Sequence, residues 1–212
     1  MLDVCEIFKS IQGESTYAGE ICSFVRLAGC NLECTYCDTA YAREAGTPMS
    51  IDQICREIAS HGCFLVEVTG GEPMLQPETP LLCEQLLEMG NTVLVETNGS
   101  LDISTLPRAA IRIMDVKCPS SGMSSRFLAA NIDSIRTIDQ CKFVISDRMD
   151  YEWARDFVGR FSLADRSVVL FSPNMNRLTP RDLVDWMIAD RLNVRLGLQI
   201  HKFVWGTDAR GV

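Results

Sequence analysis

Histidine is nearly missing from this chain: 212 residues hold only His61 and His201, against ten cysteines. With so few imidazoles, no Ser/His/Asp arrangement for nucleophilic catalysis is evident. Positive charge is also short. Twenty Lys and Arg face 28 Asp and Glu, for a formal net charge of −8. Phosphates demand a basic footprint, so direct nucleic-acid binding is not expected. No apolar run approaches the roughly 18 residues of a membrane span, so no membrane association is expected either. Low-complexity stretches, linkers and repeats at the roughly 20–50-residue periods of solenoids are lacking as well. The opening MLDVCEIFKS has no basic stretch followed by an apolar core, as a secretory signal requires, and the expected setting is cytoplasmic. There the cysteines read as reduced thiols rather than disulfides.

What is present fits a globular protein. Apolar residues make up 47% and the mean hydropathy is +0.07, and the length suits a single domain over 1–212. Strand-like runs occur at Cys22–Ala28, Phe64–Thr69, Thr92–Glu96, Ile111–Val116, Lys142–Ser146, Val168–Phe171 and Val194–Ile200. Helix-like runs lie between several of them. Ser50 reads as an N-cap before Ile51, Ile54 and Ile58, and Pro80–Gly90 ends on a C-cap glycine. Asp150–Phe161 and Thr179–Arg191 are two more, the latter with Pro180 at the first helical position. This alternation predicts an α/β fold with a parallel sheet, in about six βα units: a partial, incomplete TIM-like barrel.

In such sheets function gathers where strands end. The run Gly29-Cys30-Asn31-Leu32-Glu33-Cys34-Thr35-Tyr36-Cys37-Asp38-Thr39 begins where one strand-like run stops. Thr69-Gly70-Gly71-Glu72-Pro73, Glu96-Thr97-Asn98-Gly99 and Lys117-Cys118-Pro119 follow three others. The cysteines are spaced C-x3-C-x2-C. Three close thiolates suit three irons of a 4Fe-4S cube, with the fourth iron open to a ligand. A zinc site, buried inert thiols or part of a disulfide pair are the plainer readings. Structural zinc asks for four ligands, and neither histidine is near this loop in sequence. Tyr36 would shield the cluster and lean on an adenine ring. The paired glycines would let a ligand approach the backbone closely, and Glu72 would receive an ammonium group.

C-x3-C-x2-C with an aromatic before the last cysteine, then a strand ending in GGEP, resembles the radical S-adenosylmethionine enzymes. Further segments resemble the 7-carboxy-7-deazaguanine synthase family within them: Ser10–Ser15 (SIQGES), Phe24–Leu32 (FVRLAGCNL), Cys37-Asp38-Thr39, Glu96–Gly99 (ETNG), Asp115–Pro119 (DVKCP) and Gln199–Lys202 (QIHK). That resemblance covers nearly the whole chain and implies a shortened form of the superfamily barrel. It implies conversion of 6-carboxy-5,6,7,8-tetrahydropterin to 7-carboxy-7-deazaguanine with loss of ammonia, in queuosine and other deazapurine biosynthesis. It implies that a 5′-deoxyadenosyl radical takes the hydrogen at pterin C6, that the ring contracts, and that S-adenosylmethionine is regenerated. The cofactors would be a 4Fe-4S cluster, S-adenosylmethionine and Mg2+. The partners would be the pterin, a small electron-donor protein and a second copy in a homodimer.

By matching position, the resemblance assigns Cys30, Cys34 and Cys37 to the cluster and the Thr39 hydroxyl to Mg2+. It assigns Tyr36, Asp38, Gly71, Glu72, Asn98 (or its neighbour Thr97), Lys117, Cys118 and Pro119 to the cofactor. Ile11, Gln12, Gly13, Glu14, Arg26, Thr69 and the carboxylate of Val212 would hold the substrate, with a looser match at Ser172, Pro173 and Asn174. Without the resemblance, Thr39 reads equally well as a hydroxyl capping its turn, the Gln12–Glu14 segment as a β-turn, Arg26 as a surface charge, Lys117 as a strand-end charge and Cys118 as a buried thiol. Two other functions remain open on the residues alone: an activating enzyme that takes hydrogen from a glycine of a partner protein, and a non-catalytic metal-binding module.

Overall fold

The computed structural model describes residues 1–44, 46–206 and 209–212. In chain order it comprises β1 (Leu2–Ile11), β2 (Ile21–Leu27), β3 (Thr47–Met49), α1 (Ile51–His61), β4 (Leu65–Gly70), α2 (Thr79–Glu88), β5 (Thr92–Thr97), β6 (Ile111–Asp115), β7 (Gln140–Ile145), α3 (Arg148–Phe161), α4 (Leu163–Arg166), β8 (Val168–Pro173), α5 (Pro180–Ala189), β9 (Arg195–Leu196) and α6 (Ile200–Trp205). One nine-stranded sheet runs in the order β3-β1-β2-β4-β5-β6-β7-β8-β9. It does not close. From β2 to β9 every pairing is parallel, whereas β1 pairs antiparallel with β2 and with β3.

The parallel strands and four helices lie close to the expected segments, because each carries its own local signals. Ser50 accepts from Gln53 N and Gln53 returns a bond to Ser50 N, a capping box that starts α1. Gly62 (φ 67) ends it. Thr179 caps α5 by accepting from Asp182 N, with Pro180 behind it. Three features differ from expectation. β1 escapes a period-two reading because a register shift between Val4 and Glu6 breaks its alternation. β3 is only three residues long and holds Pro48, which an edge strand tolerates. The run expected as a strand over Val194–Ile200 keeps two paired residues, then turns at Gly197 into α6.

The two faces of the sheet have different jobs. Val25, Leu27, Val66, Val68, Val93, Val95, Phe143 and Phe171 pack outward with Ile54, Ile58, Leu82, Leu86, Tyr151 and Val158 of the helices. Inward, Cys22, Phe24, Leu65, Leu94, Ile111 and Ile113 form a second apolar cluster near the amino ends of the strands. Beyond that plug the inward residues become polar: Arg26, Glu67, Thr69, Glu96, Asp115 and Lys142. Side chains two apart share a face, so the strands that bury the core also aim charge into the barrel. No helix among the described residues is long and apolar enough to cross a membrane.

A candidate active site at the carboxyl ends of the strands

The polar inner face lines a cavity of about 670 Å3. Its rim is built from the loops that follow the strands. After β2 the chain turns at Gly29 (φ 89), whose N–H donates to Ala42 O at 2.7 Å and whose carbonyl accepts from Glu72 N at 2.8 Å. A Cβ on Gly71 would lie 2.1 Å from Gly29 O, and one on Gly70 would lie 2.1 Å from Leu27 O. The paired glycines are therefore needed for two backbones to touch, the cysteine loop and the loop after β4. Thr35 fixes the other side of the cysteine loop: its N–H donates to Ser121 O and its hydroxyl to Ser120 O.

Cys30, Cys34 and Cys37 all line this cavity as free thiols. Among the described residues no three His, Cys, Asp or Glu side chains converge on a single ion position. A cubane takes one iron per cysteine, so its ligands need not converge. Burial pushes the Cys34 thiol up, and the nearby Lys117 ammonium opposes this without reversing it. Four polar atoms of the cavity-lining residues are buried without a partner among the described residues: Tyr36 Oη, Arg43 Nε, Asp115 Oδ1 and Ser172 Oγ. Such groups are costly unless something completes them. The donor set and the orphaned atoms fit a cluster with a polar cofactor beside it.

At the other end, the Ile11–Glu14 segment is held by α6. Ile200 N donates to Gly13 O at 2.9 Å, and the His201 ring packs so tightly on Gly13 that a Cβ there would meet Nδ1 at 2.1 Å. Gln199 Nε2 donates to Glu14, and Lys202 Nζ to Asp38 Oδ2 at 2.7 Å. Between the two ends lies a charged ring. Lys142 Nζ stands 2.8 Å from Glu14 and 3.4 Å from Asp115, and also pairs with Glu96. Lys117 pairs with Asp115 at 2.9 Å. Burial pushes the Glu14 carboxyl up, but the charge of Lys142 and the hydrogen bonds from Lys142 and Gln199 together outweigh it, and the net direction is down. Burial would likewise lower Lys142, yet its three carboxylates hold it well above the ordinary lysine value.

Arg26 donates through Nε to Glu6 at 2.7 Å, and Tyr41 Oη donates to the same carboxylate at 2.8 Å. The terminal guanidinium nitrogens make no hydrogen bond among the described residues and remain available to a ligand carboxylate. Arg210 stacks over the Tyr41 ring at 4.3 Å and, with Val212, lines the cavity mouth. Thr39 also lines it. Its hydroxyl donates to Asp38 Oδ1 at 3.0 Å and makes no cap bond to the turn that follows, so the capping alternative for Thr39 does not hold.

Most expected residues are therefore brought together: Ile11, Gln12, Gly13, Glu14, Arg26, Tyr36, Asp38, Thr39, Thr69, Gly71, Asn98, Lys117 and Val212 line one cavity with the cysteines, as do Ser172, Pro173 and Asn174. Three are not. Glu72 is fully buried, accepting from Met74 N, Thr97 Oγ1 and Asn98 N. Its carboxylate thus holds the ETNG loop rather than offering itself to an ammonium, and Thr97 is spent on it. Cys118 lies in the outer core at 0% exposure, with burial pushing its thiol well up. Pro119 starts a tight turn off the cavity wall. Lys142, Glu67, His201 and Tyr41 were not anticipated. For Lys142 and Glu67 the available signal was a charge inside an otherwise apolar strand.

The sequence model of the Radical SAM superfamily matches residues 24–187. A 7-carboxy-7-deazaguanine synthase of Koribacter versatilis is 43% identical, with all of both chains covered. One of Chlorobaculum tepidum is also 43% identical, over 100% of this chain and 97% of its own. Among solved structures, QueE from Escherichia coli superposes with a TM-score of 0.79 over 93% of each chain, at 21% identity, which bears on the fold alone.

Proposed function

We propose a specific reaction for this chain, which belongs to the radical SAM superfamily and, within it, to the 7-carboxy-7-deazaguanine synthase family. It converts 6-carboxy-5,6,7,8-tetrahydropterin to 7-carboxy-7-deazaguanine with release of ammonia. The observation that supports this most is the shared cavity: the cysteine triad, a guanidinium with open nitrogens and the Ile11–Glu14 loop all line it.

A 4Fe-4S cluster with S-adenosylmethionine supplies, when bound, a carbon radical that removes a hydrogen atom. Cys30, Cys34 and Cys37 would hold that cluster. Tyr36, Asp38, Asn98 and Lys117 would flank the cofactor. The backbone of Gly71, rather than the Glu72 carboxylate, lies on its wall. Arg26 would pair through its free nitrogens with the substrate carboxylate. Thr39, beside Asp38, would present oxygen to a Mg2+ ion that shares this carboxylate, since the ion keeps several other oxygen ligands. Lys142 pairs with Glu14 and Glu96 at the substrate end and favours the ionised form of Glu14. The tail at Arg210 and Val212 covers the mouth and limits water around a reactive radical.

Residues 1–212 act as one domain. The electron would come from a small reductant protein, and the working form is a cytoplasmic homodimer. The test is an anaerobic assay with cluster-reconstituted protein, S-adenosylmethionine, dithionite, Mg2+ and the pterin, read by mass spectrometry. The deazaguanine product is expected. Deoxyadenosine formation without that product would overturn the substrate assignment and leave the superfamily in place.

A further inference from the structure

Glu67 is a carboxyl placed deep in the barrel that nothing above uses. It lies on β4, two residues before Thr69 and on the same inward face. Strand register sets Phe24 beside Glu67 and Arg26 beside Thr69. Arg26 and Thr69 thus form the layer nearer the cysteine loop, and Glu67 forms the layer beneath. In that lower layer the cavity is walled by Phe8, Ile11 and Phe24, with the Phe8 and Phe24 rings stacked at 4.8 Å and 8°. Flat apolar walls around one buried carboxyl describe a slot for a planar heterocycle that carries N–H donors.

The carboxyl is aimed, and half of it is free. Glu67 is 2% exposed. Its Oε2 accepts from Gln12 Nε2 at 2.8 Å. Its Oε1 takes no hydrogen bond among the described residues, yet is absent from the buried unpartnered atoms, so it keeps surface in the cavity Glu67 lines. Gln12 is itself locked: its Oε1 accepts from Glu14 N at 2.9 Å and Ser15 N at 2.8 Å, and its backbone bonds Glu20 and Gly19. Gln12 thereby serves as a positioning residue for Glu67.

Resting on the proposed reaction, we propose that Glu67 is a specificity-determining substrate residue, whose free oxygen accepts a hydrogen bond from the 2-amino group of the pyrimidinone edge. If Arg26 takes the ligand carboxylate in the upper layer, the pyrimidinone end of the pterin is left for the layer below. A buried acceptor discriminates strongly, because a ligand lacking the donor leaves it unpaired. The electrostatics agree: burial raises the Glu67 carboxyl to about 8, Glu96 and Glu14 add to this, and Gln12 and Lys142 oppose it. Cys22 on β2 is a further titratable neighbour. An N–H donor at the free oxygen supplies stabilisation for the ionised form.

The test uses the reconstituted holoprotein and two ligands, 6-carboxytetrahydropterin and the same compound without its 2-amino group. Affinities come from anaerobic equilibrium dialysis, and KM and kcat from turnover. Wild type is expected to bind the desamino compound about 10–100-fold more weakly. Glu67→Leu should bind both ligands equally within about threefold, with KM raised more than kcat is lowered. If Glu67→Leu fails to fold, Glu67→Gln decides, and its discrimination should fall at least about threefold below wild type. Discrimination unchanged in the folded variant would overturn the inference, as would wild type binding both compounds alike. Wild type binding neither compound would instead overturn the substrate reading on which the inference rests.

Discussion

Lys142 Nζ lies 2.8 Å from Glu14 Oε2, joining the loop after β1 to the middle of β7 across the barrel. The same ammonium neutralises Glu96 and Asp115. One cation thus holds three carboxylates at the centre of the cavity, and removing it would leave Glu14 and Glu96 without their cation while Asp115 keeps Lys117.

Lys142→Met should therefore cost about 3–5 kcal/mol of stability, since breaking a buried pair strands its partners. Urea denaturation at neutral pH measures this. A loss under about 1 kcal/mol would show that the carboxylates re-pair or protonate cheaply.

Cys30→Ala should abolish cluster binding. Its thiol is free, makes no hydrogen bond among the described residues and lines the cavity, so the far-ultraviolet circular dichroism should not change. Iron and acid-labile sulfide should both fall to background after reconstitution. Iron retained at the wild-type level would remove Cys30 from the ligand set.

Thr39→Ala should keep the cluster and lose Mg2+ stimulation of turnover, by roughly tenfold if one oxygen ligand is lost. Activity titrated against Mg2+ is the measurement. A curve identical to wild type would place the ion elsewhere.

Gly71→Ala places a methyl 2.1 Å from Gly29 O. The two backbones cannot both keep their positions, so the cysteine loop should shift and cluster loading should drop severalfold. A variant that loads iron normally would mean that the contact yields easily.

Glu67 carries a pH signature. Its folded-state value, about 8, lies above the ordinary 4.5, so the folded protein holds this proton more tightly than the unfolded chain. The stability this contributes is complete below about pH 4.5 and is lost as pH rises toward 8. Glu67→Gln removes that loss. In the absence of ligand, its Tm should exceed wild type at pH 8 by about 2–4 °C, for on the order of 1 kcal/mol, and the gain should shrink at pH 5. An equal difference at both pH values would contradict the raised value.

Much of the site was legible because its pieces are local. The cysteine spacing, the GGEP turn and the helix caps are each contained in a few residues. Six of the strands announced themselves as apolar runs. Where reading failed, distant contacts had intervened. Glu72 sits in a motif that suggests a ligand contact, but Thr97 and Asn98, from the next strand end, claim its carboxylate. Cys118 follows Lys117, and parity alone would have turned it outward once Lys117 was known to face the cavity. β1 was hidden by its bulge, and with it Glu6, the partner that orients Arg26.

The chemistry on offer is written in the linear chain: three cysteines at cluster spacing, and polar motifs at the ends of successive parallel strands. Spacing and strand order are properties of the linear chain, so they could be read there. Which charges neutralise one another, and which carboxyl is left with a free oxygen, follow from contacts between distant segments. Lys142 meets Glu14 across 128 positions of sequence, and Gln12 meets Glu67 across 55. Those pairings depend on strand register and sheet curvature, which local propensity does not encode.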